Sequence, residues 1–264
     1  MPAVYSSGMP TSASLGKVAT MHASKALRSI LLASLVLVST AATSRAQQPQ
    51  PPYVTHSIHD PSGTGKFYMG REIAQVMGPG GIPWLDRPER KTEEMPNVVL
   101  DALNLKGNEV VVDFGAGSGY FTFLMAPRLN KGGKVLAVDI QNEMLATIQQ
   151  RAQKLNVSNV ELIKSTETDP NLPPNSIDLV LFVDVYHELS FPYEVMSKIR
   201  QALKPGGQVV FVEYRKEDPS VPIKEVHKTT VKQLQKEMAV VGLVPAKVIE
   251  TLPMQHIEFF RKSE

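Results

Sequence analysis

Three glycines at alternate positions, set directly behind an unbroken apolar run, constrain the local architecture of this chain more than any other feature. The run is Val110-Val111-Val112-Asp113-Phe114, and the glycines are Gly115, Gly117 and Gly119. Consecutive apolar residues without polar alternation predict a strand covered on both faces, as in a parallel sheet. The glycines predict a tight turn whose backbone reaches positive φ and allows a ligand to approach closely. From Tyr120 onward the chain reads as a helix, and the free amides of its first turn face the ligand. Asp113 brings a carboxylate to the mouth of that turn.

The glycine spacing separates two ligand classes. A dinucleotide fingerprint needs Gly-x-Gly-x-x-Gly with pyrophosphate resting on the helix. Counted from Gly115, its third glycine would fall on Tyr120, whereas the glycine here is Gly119, one place early. A carboxylate two residues ahead of Gly115 also suits an ammonium group better than a phosphate. The pattern Asp-x-Gly-x-Gly-x-Gly resembles motif I of the class I S-adenosylmethionine-dependent methyltransferases and matches it at every fixed position. The resemblance spans roughly residues 94 to 262. It implies S-adenosylmethionine as cofactor, with Asp113, Gly115, Ala116, Gly117 and Gly119 in its binding loop.

A second apolar run, Lys134 to Ile140, ends on Asp139. An acid about 20 residues past such a loop, at the end of the second strand, accepts from vicinal ribose hydroxyls. Asp139 therefore supports nucleoside binding without choosing between cofactors. The resemblance assigns the ribose to Asp139, with Ile140 beside it. Where many family members carry Asp-Ala for the adenine amino group, this chain has Ser165-Thr166-Glu167-Thr168-Asp169. Thr166 and Glu167 are the nearest matches in this departure from the pattern.

The order of elements after residue 90 alternates. Helices are expected at 94–103, 120–130, 142–155, 192–203 and 231–241. Strands are expected at 109–114, 134–139, 160–165, 177–183 and 208–214, with a closing strand pair at 248–251 and 257–261. Lys204-Pro205-Gly206-Gly207 is a helix stop, and Thr230-Val231-Lys232-Gln233 has the form of a capping box. Such alternation predicts an α/β fold, a doubly wound, mostly parallel sheet with helices on both faces. The resemblance makes that sheet seven-stranded and Rossmann-like, with an antiparallel last strand. Asp178, in the turn into the fourth strand, reads as structural.

The N-terminal part is different material. No Asp or Glu precedes Asp60, and Lys25 and Arg28 stand before the apolar run Ile30 to Val38. That run is too short to span a bilayer, and Ser44-Arg45-Ala46 offers small side chains for cleavage. Residues 1–46 thus read as a secretory leader, with Met21 as an alternative start. Export to the periplasm or outside follows, with organelle targeting or a retained membrane anchor as alternatives. Cleavage removes Lys17, Lys25, Arg28 and Arg45 and turns the net charge from +2 to −2. No stable membrane span is expected afterwards. A cofactor made in the cytosol and an exported chain pull in opposite directions. Residues 47–59 read as a Gln/Pro linker, 60–93 as an extension or substrate lid, and 94–264 as the cofactor-binding domain. Gly63-Thr64-Gly65-Lys66 is not a P-loop, because no strand precedes it and the spacing is wrong.

Composition excludes several chemistries. There is no cysteine, so disulfides, thiolate metal sites and Cys nucleophiles are ruled out. A net charge of +2 is too small to argue for nucleic acid. Nothing in the sequence speaks of an oligomeric state.

Open α/β sheets bind ligands beyond the carboxyl ends of their strands. Asp184-Val185-Tyr186-His187-Glu188 and Glu213-Tyr214-Arg215 fall at those ends. His187 is the candidate general base, Asp184 its orienting partner or a cofactor contact, and Tyr186 a further catalytic candidate. Tyr214 and Arg215, with Tyr68, Arg71 and Trp84 from the lid, are the candidate acceptor contacts. His187, Glu188, His227 and His256 lack a close pair such as His-x-x-x-His, and no metal is expected from their spacing. The resemblance implies transfer of a sulfonium methyl group to a small-molecule acceptor by in-line displacement. A nicotinamide-dependent oxidoreductase and a non-catalytic exported nucleoside-binding module are the alternatives.

Overall fold

The computed structural model describes residues 53–263. The leader and the first part of the linker lie outside the described residues. Strands β1 (Tyr53–Thr55), β2 (Gly63–Tyr68) and β3 (Arg71–Ala74) form an antiparallel meander. The linker therefore ends earlier than its composition predicts. Tyr53 packs on Tyr68 with ring centroids 5.2 Å apart and donates its hydroxyl to Glu194 at 2.6 Å, which holds β1 in place. In β2, Lys66 donates to the Ser190 carbonyl at 2.6 Å and lies over the Phe191 ring, so it serves packing rather than phosphate.

Short helices α1 (Ile82–Leu85) and α2 (Arg90–Glu93) lead into α3 (Pro96–Leu103). The main sheet follows, built from β4 (Val110–Phe114), β5 (Lys134–Asp139), β6 (Val160–Lys164), β7 (Ile177–Val183), β8 (Leu203–Arg215), the short β9 (Lys228–Thr229), β10 (Leu243–Ile249) and β11 (Gln255–Lys262). Helices α4 (Tyr120–Met125), α5 (Asn142–Leu155), α6 (Pro192–Ala202) and α7 (Val231–Val240) alternate with them. The strand order is β10-β11-β8-β7-β4-β5-β6, with β9 paired to β8 off this path. From β8 to β6 the neighbours are parallel, and β11 runs antiparallel between β8 and β10. The seven strands on this path form the doubly wound sheet with an antiparallel last strand that the resemblance implies, and β9 adds an eighth at the side of β8.

Successive residues of each strand feed opposite layers, as the period of two requires. Val112, Phe114, Val180, Phe182 and Phe211 pack with Val195 and Ile199 of α6 and with Leu234 and Met238 of α7. Val111, Leu179, Leu181, Val210 and Val212 pack with Leu100 of α3 and with Phe121 and Met125 of α4. Phe182 stacks between Phe114 at 4.7 Å and Phe211 at 5.0 Å.

Helix α4 is shorter than the expected 120–130, and its chain tightens into a 3-10 turn at Ala126–Arg128. Pro127 explains this, because it has no amide hydrogen to carry an α-helical bond onward. Helix α6 stops ahead of Lys204 as expected, and the Gln233 amide donates to Thr230 Oγ1 at 3.0 Å, but the Gln233 side chain turns to Glu237 at 2.7 Å, so α7 has a simple N-cap instead of the expected capping box. Asp178 Oδ2 accepts from the Val110 amide at 2.8 Å and from Lys204 at 2.7 Å. It ties the amino ends of β4 and β7 together, opposite the site. Among the described residues no helix is long and apolar enough to cross a membrane.

Candidate functional site

The first parallel strand delivers the glycine loop to the carboxyl edge of the sheet. Gly115 and Gly117 take φ of +66° and +54°, the left-handed region in which a side chain is strained. A Cβ on Gly115 would lie 2.5 Å from Val185, and one on Gly117 would lie 2.9 Å from Leu85. The loop is anchored from the next strand. Asp139 accepts from the Gly117 amide at 2.9 Å through Oδ2 and from the Gln141 amide at 2.8 Å through Oδ1. Gly119 also has positive φ, but it opens α4 against Phe123 and Ile148. Its lack of a side chain serves packing.

Beyond the loop lies a cavity of about 580 Å³, of the size that ligand pockets occupy. Asp113, Gly115, Ala116, Gly117, Asp139, Ile140, Thr166, Glu167 and Asp184 all line it. So do Trp84 and Tyr214 from the acceptor candidates, and His187 from the catalytic ones. Residues 75–94 form its roof. Ser118 donates to Asp86 Oδ1 at 2.8 Å, and Arg151 forms an ion pair with the same carboxylate. Farther along, Gln141 donates to the Met77 carbonyl at 2.9 Å, and the Met77 amide donates to Glu188 at 3.3 Å.

Acidic groups crowd the middle of the cavity. Asp113 is buried and accepts from the Thr122 hydroxyl at 2.5 Å. Burial outweighs that bond and pushes its carboxyl up to about 6. Asp184, held at φ +53° and hydrogen-bonded through both oxygens to Gln255, is raised well above the carboxylate range by burial and by Glu94 and Glu213 nearby. Burial likewise raises Asp139. Arg90 is the buried cation among these groups, bonded to Glu94 at 2.6 Å and to the Leu85 carbonyl at 2.9 Å.

At the far end two imidazoles meet. His187 lies in the 3-10 turn Tyr186–Glu188 after β7, and His227 ends the 3-10 turn Glu225–His227 before β9. His187 Nδ1 is 2.5 Å from Glu213 Oε2, and its Nε2 is 3.0 Å from His227 Nδ1. Burial works against a charge on His187, but the Glu213 carboxylate prevails and its pKa is raised. His227 is pulled down to about 4 by burial and by His187, and burial lifts Glu188 to about 7.

The family described as "Methyltransferase domain" matches residues 105–258, more than half of the chain. The chain belongs to that family. A S-adenosylmethionine-dependent methyltransferase from Aquifex aeolicus superposes with a TM-score of 0.66 at 26% identity, covering 70% of this chain and 98% of that one. A demethylmenaquinone methyltransferase from Oceanobacillus iheyensis is 25% identical over 114 residues, 43% of this chain and 48% of the relative. A ubiquinone/menaquinone biosynthesis C-methyltransferase from Hydrogenovibrio crunogenus is 26% identical over 118 residues, 44% of this chain and 46% of the relative. The chain thus spans about half or less of the length of these curated relatives.

S-adenosylmethionine is the cofactor that this methyltransferase family and its fold indicate, and the donor set suits it. Burial keeps Asp113, Asp139 and Asp184 above the usual carboxylate range, even with Arg90 acting on Asp113 and Asp184, and a ligand carrying ammonium and sulfonium charges would stabilise their ionised forms. The methyltransferase domain does not use every residue that its sequence singles out. Arg71 is buried in a two-pronged pair with Glu237, with both bonds at 2.9 Å, and also donates to the His187 carbonyl at 3.1 Å. Tyr186 is fully buried in the core and donates to Glu237 at 2.7 Å. Tyr68 is buried beside Tyr53. Arg215 holds Glu250 at 2.9 Å and the carbonyls of Leu252, Pro253 and Gln255. Arg71, Tyr186, Tyr68 and Arg215 are therefore structural, and none reaches the cavity.

Conversely, Arg90, Glu94, Met77 and Gln141 line the cavity without having been singled out. Only the Arg90–Glu94 pair carried a sequence signal, an opposite charge four residues on. His256 lies apart from the other histidines, between Glu250 at 2.8 Å and Glu217 at 2.9 Å.

Proposed function

We propose that the chain transfers the methyl group of S-adenosylmethionine to a small-molecule acceptor seated at the His187–His227 end of the cavity. One observation carries this reading. The glycine loop with its acids and the paired imidazoles face the same roofed space, so a cofactor on the loop would present its sulfur side toward the histidines. The bound sulfonium supplies an electrophilic methyl group. The chain supplies alignment and exclusion of water.

Asp139 would accept from the ribose hydroxyls, while Thr166 and Glu167 would border the adenine. Asp113 would hold the methionyl ammonium, and Asp184 would stand between cofactor and acceptor. Trp84 and Tyr214 would shape the acceptor space. His187 presents no free nitrogen, because Glu213 and His227 occupy both. The acceptor end therefore acts as a group of three, His187, Glu188 and His227, rather than through a lone base. The relatives named as demethylmenaquinone methyltransferases make a quinol-type ring the first acceptor class to assay.

Calorimetry with S-adenosylmethionine, its demethylated product and NAD tests the reading. Binding of the first two and not the third supports it, and the reverse overturns it. Nucleoside binding with no turnover of any acceptor would favour the non-catalytic module. Export through the 1–46 leader is part of the proposal, motivated by the basic, apolar and small-residue order of that segment. A natural protein beginning at Gln47 supports export, and one retaining its leader overturns it.

A further inference from the structure

We propose that His187, Glu188 and His227 bind one divalent transition-metal ion at the acceptor end of the cavity. Each offers a ligand atom, and these atoms all lie within 4.8 Å of one another. His187 Nε2 and His227 Nδ1 are 3.0 Å apart, and His227 Nδ1 is 3.8 Å from Glu188 Oε1. Ligands about 2.1 Å from an ion at tetrahedral angles stand about 3.4 Å from each other. The three atoms therefore need only small side-chain shifts to surround a common centre.

The surroundings support ligation. Glu213 accepts at His187 Nδ1 at 2.5 Å, which fixes the ring and directs Nε2 at the cluster. A carboxylate behind a ligating imidazole is a recurrent outer support of metal sites. The Met77 amide steadies Glu188 from the roof, at 3.3 Å. All three residues line the cavity, so an ion has an entry path and retains open positions facing the acceptor space. Sequence separation hid this arrangement, because His227 arrives on a different turn, 40 residues after His187.

Two imidazoles and one carboxylate select an ion of the zinc, iron, manganese or cobalt class. Magnesium and calcium favour all-oxygen shells. Resting on the methyl-transfer reading, the open positions would take a hydroxyl of the acceptor. On binding, that hydroxyl loses its proton to solvent. An oxygen lone pair then forms the new O–C bond, the methyl C–S bond breaks, and sulfur keeps its electron pair. Metal binding itself does not depend on that reading.

The test uses the full chain, stripped with a chelator and titrated with Zn²⁺ by calorimetry and with Co²⁺ by visible absorption. One equivalent should bind, with Co²⁺ giving the ligand-field bands of a low-coordinate nitrogen and oxygen site. His227→Ala and Glu188→Gln should each weaken binding about 100-fold, and Glu213→Gln about 10-fold, as loss of an outer support does. His227 is half-buried, so its variant retains the fold even if a His187 variant does not. Absence of a stoichiometric site, or unchanged binding in His227→Ala and Glu188→Gln, overturns the proposal. The same preparations are titrated with the demethylated cofactor product. Metal uptake without nucleoside binding upholds the metal site and sinks the methyl-transfer reading, and nucleoside binding without metal uptake overturns the metal site alone.

Discussion

The two ends of the cavity are built by opposite strategies. The proposed cofactor end comes mostly from one short run of chain, Asp113 to Ser118, and its neighbouring strand end at Asp139. The proposed acceptor end is assembled from segments around residues 77, 188, 213 and 227, which meet only in the folded protein. Backbone geometry dominates the first, since positive φ at Gly115 and Gly117 shapes it directly. Side-chain convergence dominates the second, so its chemistry depends on distant supports.

The largest expected effect comes from removing one of those supports. Arg71→Met leaves Glu237 buried without its partner and releases the His187 carbonyl. Breaking such a pair costs about 3–5 kcal/mol. Urea unfolding should show the loss, and the surviving folded protein should keep its nucleoside affinity better than its turnover. Equal loss of both would break the proposed division between the ends.

Asp139→Ala attacks the other end. It removes the loop anchor and the proposed ribose acceptor, and one hydrogen bond to a charged group is worth about 1.5–3 kcal/mol. Calorimetry should show nucleoside affinity weakened by about 10- to 150-fold, and an unchanged constant would remove Asp139 from the cofactor site.

Titration sharpens the contrast further. Asp113 has a pKa raised to about 6, with Thr122, Arg90 and Asp139 as the groups acting on it. A cationic ligand binds its ionised form, so affinity should be level above pH 6 and fall about tenfold per unit below it. Asp113→Asn should flatten that slope while weakening binding at neutral pH. A slope that persists in the variant would assign the titration elsewhere.

The smallest effect belongs to the roof. Asp86→Ala loses a partly exposed ion pair with Arg151 and the Ser118 bond, about 1 kcal/mol or less. It should raise the KM for the cofactor before it lowers thermal stability.

These contrasts explain what the sequence could disclose. The run Val110 to Gly119 carries its own geometry, so the strand and the loop are legible from local pattern, and the alternation of elements discloses the doubly wound sheet, whereas the anchoring of Gly117 by Asp139 appears only in the fold. Tyr186 and His187 are adjacent, and sequence flags both. Only the fold shows that one points into the aromatic core and the other toward the cavity. Arg215 carries no local mark that its guanidinium will close over four backbone carbonyls. His227 becomes informative only when β8 and the turn before β9 bring it to His187.

Met77 touches both halves at once, through its carbonyl to Gln141 and its amide to Glu188. It is a backbone link between the glycine-loop side of the cavity and the histidine side. Any change that filling one side imposed on this span would act on its neighbour by the same factor in both directions.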